Sequence, residues 1–385
     1  MSKPSIPYHQ PALGIGHEGN ELVYLQEVLK TRQMMGDGPF TKRCHQWLES
    51  HLQTPKALLT HSCTAALEMS ALLADLRPGD EVIMPSFTFV STANAVALRG
   101  ATPVFIDIRP DTLNLDENLV EAAINPRTKA IFAVHYAGIS CELDALMDIA
   151  ERRKLLLLED AAQGLMAEYK GRALGSIGHL GSLSFHETKN IVSGEGGALL
   201  VNSAHFHDRA EIIREKGTNR RQFLRGQIDK YTWVDLGSSY LPSELNAAVL
   251  MAQLERAREI TSARVEVWNQ YYAAFADLDA QGRVKRPTVP KHCVHNGHIF
   301  YLLAGTLEER TALLAQLKAA GIASVFHYIP LHSAPAGRKY GRTAGTLAHT
   351  DSCSERLLRL PLWAGITAGD VARIVEVIYD FYRRR

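Results

Sequence analysis

Short apolar runs alternate with helical patterns between residues 56 and 200. The runs predict strands at Ala57–Thr60, Glu81–Pro85, Pro103–Asp107, Ala130–His135, Leu155–Glu159 and Ser182–Phe185. Apolar residues at helical spacing predict helices between them, at Thr64–Asp75, Leu115–Ile124 and Leu143–Arg152. Strands that alternate with helices are joined by crossover connections. The pattern therefore predicts an α/β fold with a mostly parallel sheet that is covered on both faces.

The pattern changes after residue 200. Glu244–Ile260 and Arg264–Leu278 have the apolar spacing of long helices. Arg283–Cys293 contains two prolines and no helical period, which indicates a passage into a second unit, and strand and helix patterns recur after it. We therefore predict a large α/β domain with an N-terminal arm at residues 1–260, and a smaller α+β domain at residues 261–385. The pattern does not place the arm.

Composition and charge exclude several classes of protein. The chain has 385 residues, of which 46% are hydrophobic and 22% charged, and its formal net charge is +1. Because no basic run stands out beyond Arg383–Arg385, we expect neither a nucleic-acid partner nor a membrane surface. No signal peptide is apparent at the start, and no apolar run reaches the roughly 18 residues of a membrane span. Five scattered cysteines suit reduced thiols, so we expect a cytoplasmic protein.

Polar residues that follow the first two predicted strands are candidates for a ligand site. In open α/β sheets, ligands bind beyond the carboxyl ends of the strands. Thr60–Thr64 lies between a strand and a helix, where free N–H groups suit a phosphate, although most such segments taken alone are ordinary N-caps, here made by Ser62 or Thr64. Ser86–Phe89 follows the next strand, and an aromatic ring there could stack on a flat heterocycle or pack in the core.

Two further candidates follow later strands. Glu159–Gln163 ends the most apolar strand, where a carboxylate needs a partner, either a pyridine nitrogen or a structural ion pair. Lys189 comes just after Ser182–Phe185 and before a glycine-rich turn at Gly194–Gly197. A neutral lysine amine at that position could form an imine with a cofactor, whereas most lysines are solvated surface charges. The turn lacks the Gly-Lys-Ser/Thr of a P-loop.

Taken together, the four places predict a single cofactor. They supply a phosphate cradle, a stacking ring, a partner for a pyridine nitrogen and an imine-forming amine. Pyridoxal phosphate requires this set of groups. The joint occurrence of the four places in this order is stronger evidence than any one of them.

The same residues carry a resemblance to a known family. The sequence resembles the sugar aminotransferases of the DegT/DnrJ/EryC1/StrS family over nearly the whole chain. The shared motifs are Ser62–Leu67, Met84–Phe89, Val134–Gly138, Glu159–Gln163, Ser184–His186 with Lys189, and Gly194–Gly197. The pairing of Glu-Asp-Ala-Ala-Gln with Ser-Phe-His-x-x-Lys is specific. The resemblance implies the type I aspartate-aminotransferase fold and a pyridoxal 5'-phosphate cofactor.

The resemblance also implies a role for individual residues. Lys189 is implied as the Schiff-base lysine and Asp160 as the partner of the pyridine nitrogen. The other cofactor contacts implied are Gln163 at the ring hydroxyl, Phe89 on the ring, and Cys63, Thr64 and Ser184 at the phosphate. His186 is implied beside the cofactor, where it assists the substrate, and Tyr328 and His332 near the sugar nucleotide.

The reaction implied is transfer of an amino group from glutamate to a keto-sugar nucleotide. Phe185–Asn190, Glu215–Arg220 and Phe326–His332 are most similar to members that use dTDP-4-keto-6-deoxyglucose for cell-surface polysaccharides, while a 3-keto dTDP-sugar or a 4-keto UDP-sugar remains an alternative. The family also implies a homodimer with active sites at the subunit interface. Many members carry Gly-x-Asn-Tyr-Arg, whose asparagine reaches the partner subunit's cofactor phosphate. In this chain the corresponding segment is Gly237–Leu241, and Ser239 stands at the position of the asparagine. Its hydroxyl can donate one hydrogen bond, but it lacks the amide group.

Three rival interpretations are weaker. A sugar dehydratase of this fold has histidine in place of the lysine, so Lys189 argues against it. A non-catalytic protein on the same scaffold need not keep Asp160, Gln163 and Lys189 together. The histidines of His292–His298 lack a recognised zinc spacing, so we expect no metal site and interpret them as exposed loop histidines.

Overall fold

The computed structural model describes residues 5–14 and 19–385. Its strands are β1 (Ala57–Thr60), β2 (Glu81–Pro85), β3 (Thr102–Ile106), β4 (Thr128–Val134), β5 (Leu156–Asp160), β6 (Glu168–Tyr169), β7 (Arg172–Ala173), β8 (Leu180–Ser184), β9 (Gly197–Val201), β10 (Cys293–Val294), β11 (Tyr301–Leu303), β12 (Arg342–Thr343) and β13 (Leu357–Arg359). Its α-helices are α1 (Glu21–Thr31), α2 (Pro39–Leu52), α3 (Cys63–Leu73), α4 (Val90–Ala97), α5 (Val120–Ala123), α6 (Leu143–Arg153), α7 (His207–Arg214), α8 (Arg220–Leu224), α9 (Glu244–Glu255), α10 (Ala257–Ala274), α11 (Ala276–Ala280), α12 (Leu307–Ala319), α13 (Pro335–Tyr340), α14 (Ala348–Arg356) and α15 (Ala368–Arg383).

The largest sheet is mixed and mostly parallel. Its strand order is β1-β9-β8-β5-β4-β2-β3-β12. Every pairing from β8 to β12 is parallel, and only β9 runs antiparallel to its neighbours β1 and β8. The predicted α/β fold with a mostly parallel sheet is therefore confirmed. The parallel strands all end at one edge, which is where ligands bind in open sheets.

Helices cover both faces of this sheet. Successive residues of β2 point to opposite faces, as the two-residue period of a strand requires. Val82 and Met84 pack with α3, α4 and α7, while Ile83 packs on the other face with α2, α6 and α9. Leu157 and Leu158 of β5 divide between the two faces in the same way. Burial on both sides explains why this strand is apolar up to its last two residues.

Most predicted elements lie within two residues of the observed ones, and three differ. The structure adds β9, because its sequence begins inside the glycine-rich segment that indicated a turn. The helix predicted at Leu115–Ile124 is a short 3-10 turn followed by α5. The break predicted between residues 260 and 264 is wrong, since the helix breaks at Arg256. No glycine or proline marks that position, so the helical pattern continued past it.

The C-terminal residues build a separate apolar cluster. It is formed mainly by α10, α12 and α15 with β11. Ile6 joins it, because Ile6 N–H donates to Gly321 O at 2.9 Å and Ile6 O accepts from Ala323 N–H at 3.0 Å. The arm that the sequence did not place thus begins against the C-terminal unit. A domain boundary at residue 260 stays a prediction. Within the part of the chain that is described, no helix has the length and apolar character of a membrane span.

Candidate active site

A cavity of about 420 Å³ opens at the carboxyl ends of β1, β2, β5 and β8. Its size is in the range of small-molecule sites. Nine of the residues singled out from sequence line it: Cys63, Thr64, Phe89, Asp160, Gln163, Ser184, His186, Lys189 and Tyr328. Residues that are far apart in the chain therefore share one space, as the strand-end argument requires. Ser239 and His332 are not among its lining residues.

The start of α3 offers two unpaired N–H donors to this cavity. Ser62 is the N-cap, since its Oγ accepts from Ala65 N–H at 3.1 Å. In residues 5–14 and 19–385, no acceptor takes the N–H of Cys63 or Thr64. A Cβ on Gly197 would come within 2.4 Å of Cys63 N, so only glycine lets β9 pass this close to the helix start. The two interpretations of this segment are therefore compatible. The Ser62 hydroxyl caps the helix, and the N–H groups of Cys63 and Thr64 remain available to an anion.

Two adjacent carboxylates at the end of β5 have different surroundings. Glu159 is fully buried and accepts from His135 Nε2 at 2.9 Å and from the N–H groups of Gly175 and Ile177 at 2.8 and 2.7 Å. Burial would raise the pKa of Glu159, but these hydrogen bonds hold it below its ordinary value. Glu159 is therefore the structurally paired carboxylate, which is the alternative that the sequence left open.

Asp160 points the other way, into the cavity. It is buried, and its Oδ2 accepts from Thr92 Oγ1 at 2.6 Å, while its Oδ1 accepts from Ala162 N–H at 3.2 Å. No cationic side chain in the described ranges forms an ion pair with it. A buried carboxylate without a cation is costly, and a protonated ring nitrogen in the cavity would supply the missing charge.

Lys189 lines the cavity and has no carboxylate partner within ion-pair distance among the described residues. Its backbone closes a turn, in which Lys189 N–H donates to His186 O at 2.9 Å. Burial lowers the pKa of the ammonium group, although Cys63 and Asp160 act in the opposite direction. A lowered pKa increases the neutral fraction of the amine, which is the nucleophilic form. The surface-charge interpretation of this lysine is wrong.

Gln163 and Tyr328 form a fixed chain of hydrogen bonds along one wall. Gln163 Oε1 accepts from Ala137 N–H at 2.6 Å, and Gln163 Nε2 donates to Tyr328 Oη at 2.9 Å. The Tyr328 ring stacks on His327 with centroids 3.7 Å apart. His327 Nδ1 in turn lies 2.8 Å from Tyr136 Oη. Burial raises the pKa of Tyr328, so its hydroxyl keeps its proton and can donate into the cavity.

Phe89 and His186 lie at the mouth of the cavity. Phe89 is 57% exposed, whereas Phe87 is buried and packs against Tyr136 at 5.1 Å. The core-packing alternative therefore applies to Phe87, and the Phe89 ring remains available to a ligand. His186 Nδ1 lies 2.9 Å from Thr188 Oγ1, and its Nε2 lies 3.8 Å from Glu195. The imidazole is thus oriented by the Thr188 hydroxyl and has a carboxylate nearby.

Two predicted residues have other surroundings in this chain. His332 lies behind the cavity wall, where its Nδ1 is 2.8 Å from Ser86 Oγ and its Nε2 is 3.4 Å from Asp351. It holds the turn after β2 instead of facing the space. Ser239 is exposed, and its backbone bridges to Glu215. Any contact of Ser239 with a cofactor would have to be made in another copy of the chain.

The cavity also contains residues that sequence reasoning missed. They come from the N-terminal arm and from the C-terminal third: Tyr8, His9, Arg264, His298, His327 and Arg359. The interpretation of His292–His298 as exposed loop histidines is wrong, because all three histidines are partly buried. His298 Nδ1 lies 2.8 Å from Asn190 Oδ1 at the cavity. Within the described ranges, no group of three His, Cys, Asp or Glu side chains could hold a metal ion.

Comparison with known proteins places the chain in a family. The sequence pattern of the DegT/DnrJ/EryC1/StrS aminotransferase family matches residues 17–379. The GDP-perosamine synthase of Caulobacter vibrioides is 33% identical over 97% of this chain and 98% of its own length. The aminotransferase TlmJ from Streptoalloteichus hindustanus superposes with a TM-score of 0.90, at 29% identity and 99% coverage of both chains.

A solved structure of Spr1654 from Streptococcus pneumoniae, in its PLP form, is also similar. It has a TM-score of 0.89, 27% sequence identity and 99% coverage of both chains. The predicted resemblance, fold class and cofactor are confirmed by these comparisons. The chain therefore belongs to the DegT/DnrJ/EryC1/StrS aminotransferase family and is a pyridoxal-phosphate-dependent sugar aminotransferase.

Proposed function

We propose that the protein converts dTDP-4-keto-6-deoxyglucose to dTDP-4-amino-4,6-dideoxygalactose with glutamate as the amino donor. The carrying observation is that Lys189 and Asp160 line one cavity with the unpaired N–H groups of α3. The reaction exchanges the amino group and the Cα hydrogen of glutamate for the carbonyl oxygen of the sugar. It needs no outside oxidant, and 2-oxoglutarate is the second product.

The choice of sugar nucleotide rests on three segments. Phe185–Asn190, Glu215–Arg220 and Phe326–His332 resemble the dTDP-4-amino-4,6-dideoxygalactose transaminase of enterobacterial common antigen synthesis. A nucleotide-sugar substrate is also supported by the 33% identical GDP-perosamine synthase. We therefore propose a role in cell-surface polysaccharide synthesis. The five cysteines are unpaired and buried, which supports the reducing cytoplasm as the compartment.

The residues present fit pyridoxal phosphate. The N–H groups of Cys63 and Thr64, with the Ser184 hydroxyl, would hold its phosphate at the start of α3, where the helix dipole favours an anion. Asp160 would face its ring nitrogen, since no cationic side chain among the described residues forms an ion pair with this carboxylate. When bound, the cofactor carries the amino group between the two substrates and withdraws electrons from the carbon that loses a proton.

Lys189 performs the proton transfers in this proposal. Its Nζ removes the proton from glutamate Cα and later delivers a proton to the keto carbon of the sugar. Burial lowers the pKa of this amine and so increases its neutral fraction, which lets the same nitrogen accept a proton and later return it. Gln163 would approach the ring hydroxyl, since its amide is fixed by Ala137 and Tyr328. Phe89 would cover the ring from the cavity mouth.

Substrate contacts are proposed for His186 and Tyr328. Both line the cavity, and each carries a group that can donate to a sugar oxygen. His332 is a positioning residue, because it holds Ser86 at the end of β2 and does not face the cavity. We therefore assign no direct substrate contact to His332.

The substrate is tested with a panel of keto-sugar nucleotides. The purified protein is incubated with glutamate and, in turn, dTDP-4-keto-6-deoxyglucose, a 3-keto dTDP-sugar, a 4-keto UDP-sugar and a GDP-linked keto-sugar. We expect kcat/KM for the first to exceed the others by at least about tenfold, a preference of roughly 1.4 kcal/mol. Preference for another member would replace the proposed sugar, and a colourless protein without amine formation would favour a non-catalytic role.

We also propose that the protein is a homodimer with active sites at the subunit interface. Residues 231–236 form an exposed apolar segment in which Tyr231, Val234 and Leu236 are each at least half exposed and Trp233 is 73% exposed. An apolar segment of this kind, just before Ser239, suits contact with another subunit. Ser239 would then face the partner subunit's cofactor phosphate, as the asparagine of related chains does.

Trp233→Glu is expected to weaken the dimer, because a charge would be buried in place of an apolar anchor. The loss should be at least about 2 kcal/mol, seen as a monomer in light scattering at micromolar concentration. Tyr340→Glu is the matched control, since its ring is 51% exposed outside the apolar segment. A wild-type chain that is monomeric, or a W233E variant that stays dimeric, would contradict the proposed interface.

A further inference from the structure

The cavity contains a buried cation that has no counter-ion among the described residues. Arg264, on α10, is 3% exposed and lines the cavity. Its Nε donates to Gly297 O at 3.2 Å and its Nη2 donates to His298 O at 2.8 Å. In the described part of the chain, Nη1 has no acceptor and no carboxylate lies within ion-pair distance. Burial lowers the pKa of this guanidinium to about 10, which still leaves it charged at neutral pH.

A second arginine lines the same cavity. Arg359, at the end of β13, donates from Nε and Nη2 to Phe326 O at 3.3 and 3.1 Å. Its guanidinium lies 5.0 Å from the centre of the Tyr8 ring. It too has no carboxylate partner in the described ranges. Both arginines therefore keep their remaining donors for a ligand, with Tyr8 beside them.

The charges of the cavity leave these two arginines unbalanced. Of the residues that the structure describes, two carboxylates line it, and Asp160 is assigned to the ring nitrogen. Glu195 is largely exposed and lies near His186 at the mouth. A buried guanidinium without a partner is costly, so an anionic ligand that pairs with it gains strong, charge-assisted hydrogen bonds. The planar guanidinium matches a carboxylate in geometry.

We propose that Arg264 and Arg359 bind the two carboxylates of the amino donor. The inference rests on the proposed transamination and names the group that selects the donor. The α-carboxylate of an amino acid is bonded to the carbon that gives its proton to Lys189, so it must lie beside that lysine. Arg264 and Arg359 line the same cavity as Lys189, and the charge of Arg359 adds to burial in lowering the pKa of that lysine. A sugar-nucleotide diphosphate lies a whole sugar ring away from the keto carbon and fits a more open position.

Two carboxylate partners explain a preference for a dicarboxylic amino acid. Glutamate would occupy both arginines, while a monocarboxylic amino acid such as alanine would leave one buried cation unpaired. A site that leaves a buried polar group unpaired rejects the shorter analogue strongly. The arginines are therefore assigned as the source of donor specificity.

Binding is tested first without any reaction. The holoenzyme is titrated calorimetrically with glutarate, a dicarboxylate that has no amino group to transfer. We expect Arg264→Met and Arg359→Met each to raise the Kd for glutarate at least about tenfold. Arg264→Lys should raise this Kd less than Arg264→Met, because lysine keeps the positive charge. Arg258→Met is the control, because Arg258 is exposed on the same helix. Unchanged glutarate affinity in folded R264M would overturn the assignment of Arg264, and unchanged affinity in folded R359M would overturn that of Arg359.

The two half-reactions are then measured separately. Conversion of the holoenzyme by glutamate should slow at least about a hundredfold in R264M. Conversion of pyridoxamine-phosphate-loaded enzyme by the keto-sugar nucleotide should stay within a few-fold of wild type. If R264M slowed both half-reactions equally, or only the half-reaction with the keto-sugar nucleotide, the proposal that Arg264 binds the amino donor would be overturned. If no keto-sugar nucleotide reacts with the wild-type enzyme, the proposed function fails, while the glutarate titration still decides the dicarboxylate site.

Discussion

Lys189→Ala is expected to abolish turnover. Proton transfer by a positioned group contributes about 10²–10⁴-fold to a rate, and this variant also loses the amine that binds the cofactor covalently. In the structure, no second lysine lines the cavity within the described ranges, so no other amine can replace Lys189 Nζ. The variant should bind pyridoxal phosphate without a covalent link.

The covalent link is measured by borohydride reduction followed by peptide mapping. In the wild-type protein, the reduced cofactor should be joined to the peptide that carries residue 189, and the variant should show no such adduct. Lys170→Ala is the control, because Lys170 is an exposed lysine paired with Asp144. Turnover at the wild-type rate in K189A, or a cofactor joined to a different lysine, would defeat the proposed mechanism.

The strands that position the site could be predicted from sequence because they are buried on both faces. Leu156–Asp160 is apolar until its two terminal carboxylates, so both the strand and the approximate position of its end could be predicted. Gly197–Val201 was hidden, because its first residue continues a glycine-rich segment. Glycine is required there because a Cβ on Gly197 would come within 2.4 Å of Cys63 N at the start of α3, a tertiary constraint that no local pattern shows.

The different roles of the Glu159 and Asp160 carboxylates could not be predicted from the local pattern either. Glu159 and Asp160 are neighbours, and successive strand residues point to opposite faces. The local pattern could not decide which of them would meet the N–H groups of residues 175–178 and which would face the cavity, and only the family resemblance pointed to Asp160. The loop that binds Glu159 lies nearly twenty residues further along the chain.

The arginines were missed for a different physical reason. Arg264 stands among the helical positions of α10, where an arginine usually indicates a solvated face. It is buried only because the segment around Gly297 and His298 folds across the helix. His298 was interpreted as exposed for the same reason, since its burial depends on contact with Asn190 more than a hundred residues earlier. Long-range contacts of this kind leave no periodic signal.

Asp160→Asn is expected to lower kcat/KM by about 10²–10³-fold, a loss comparable to removal of a preorganised electrostatic contact. Asparagine keeps the size of the side chain and can accept from Thr92 Oγ1 or Ala162 N–H. It lacks the negative charge that would keep the ring nitrogen protonated. We therefore expect a folded enzyme whose proton-transfer step is slow, while its thermal midpoint stays close to that of the wild type.

Glu159→Gln tests the contrast on the neighbouring residue. Glu159 is fully buried and accepts from His135 and from three backbone N–H groups, so loss of its charge should cost about 3–5 kcal/mol of stability. Thermal unfolding and kcat/KM measured on both variants separate the two roles. D160N with wild-type kcat/KM would show that the ring nitrogen has another partner. A large loss of stability in D160N together with unchanged stability in E159Q would reverse the two assigned roles. Asp160 would then be the carboxylate that stabilises the fold.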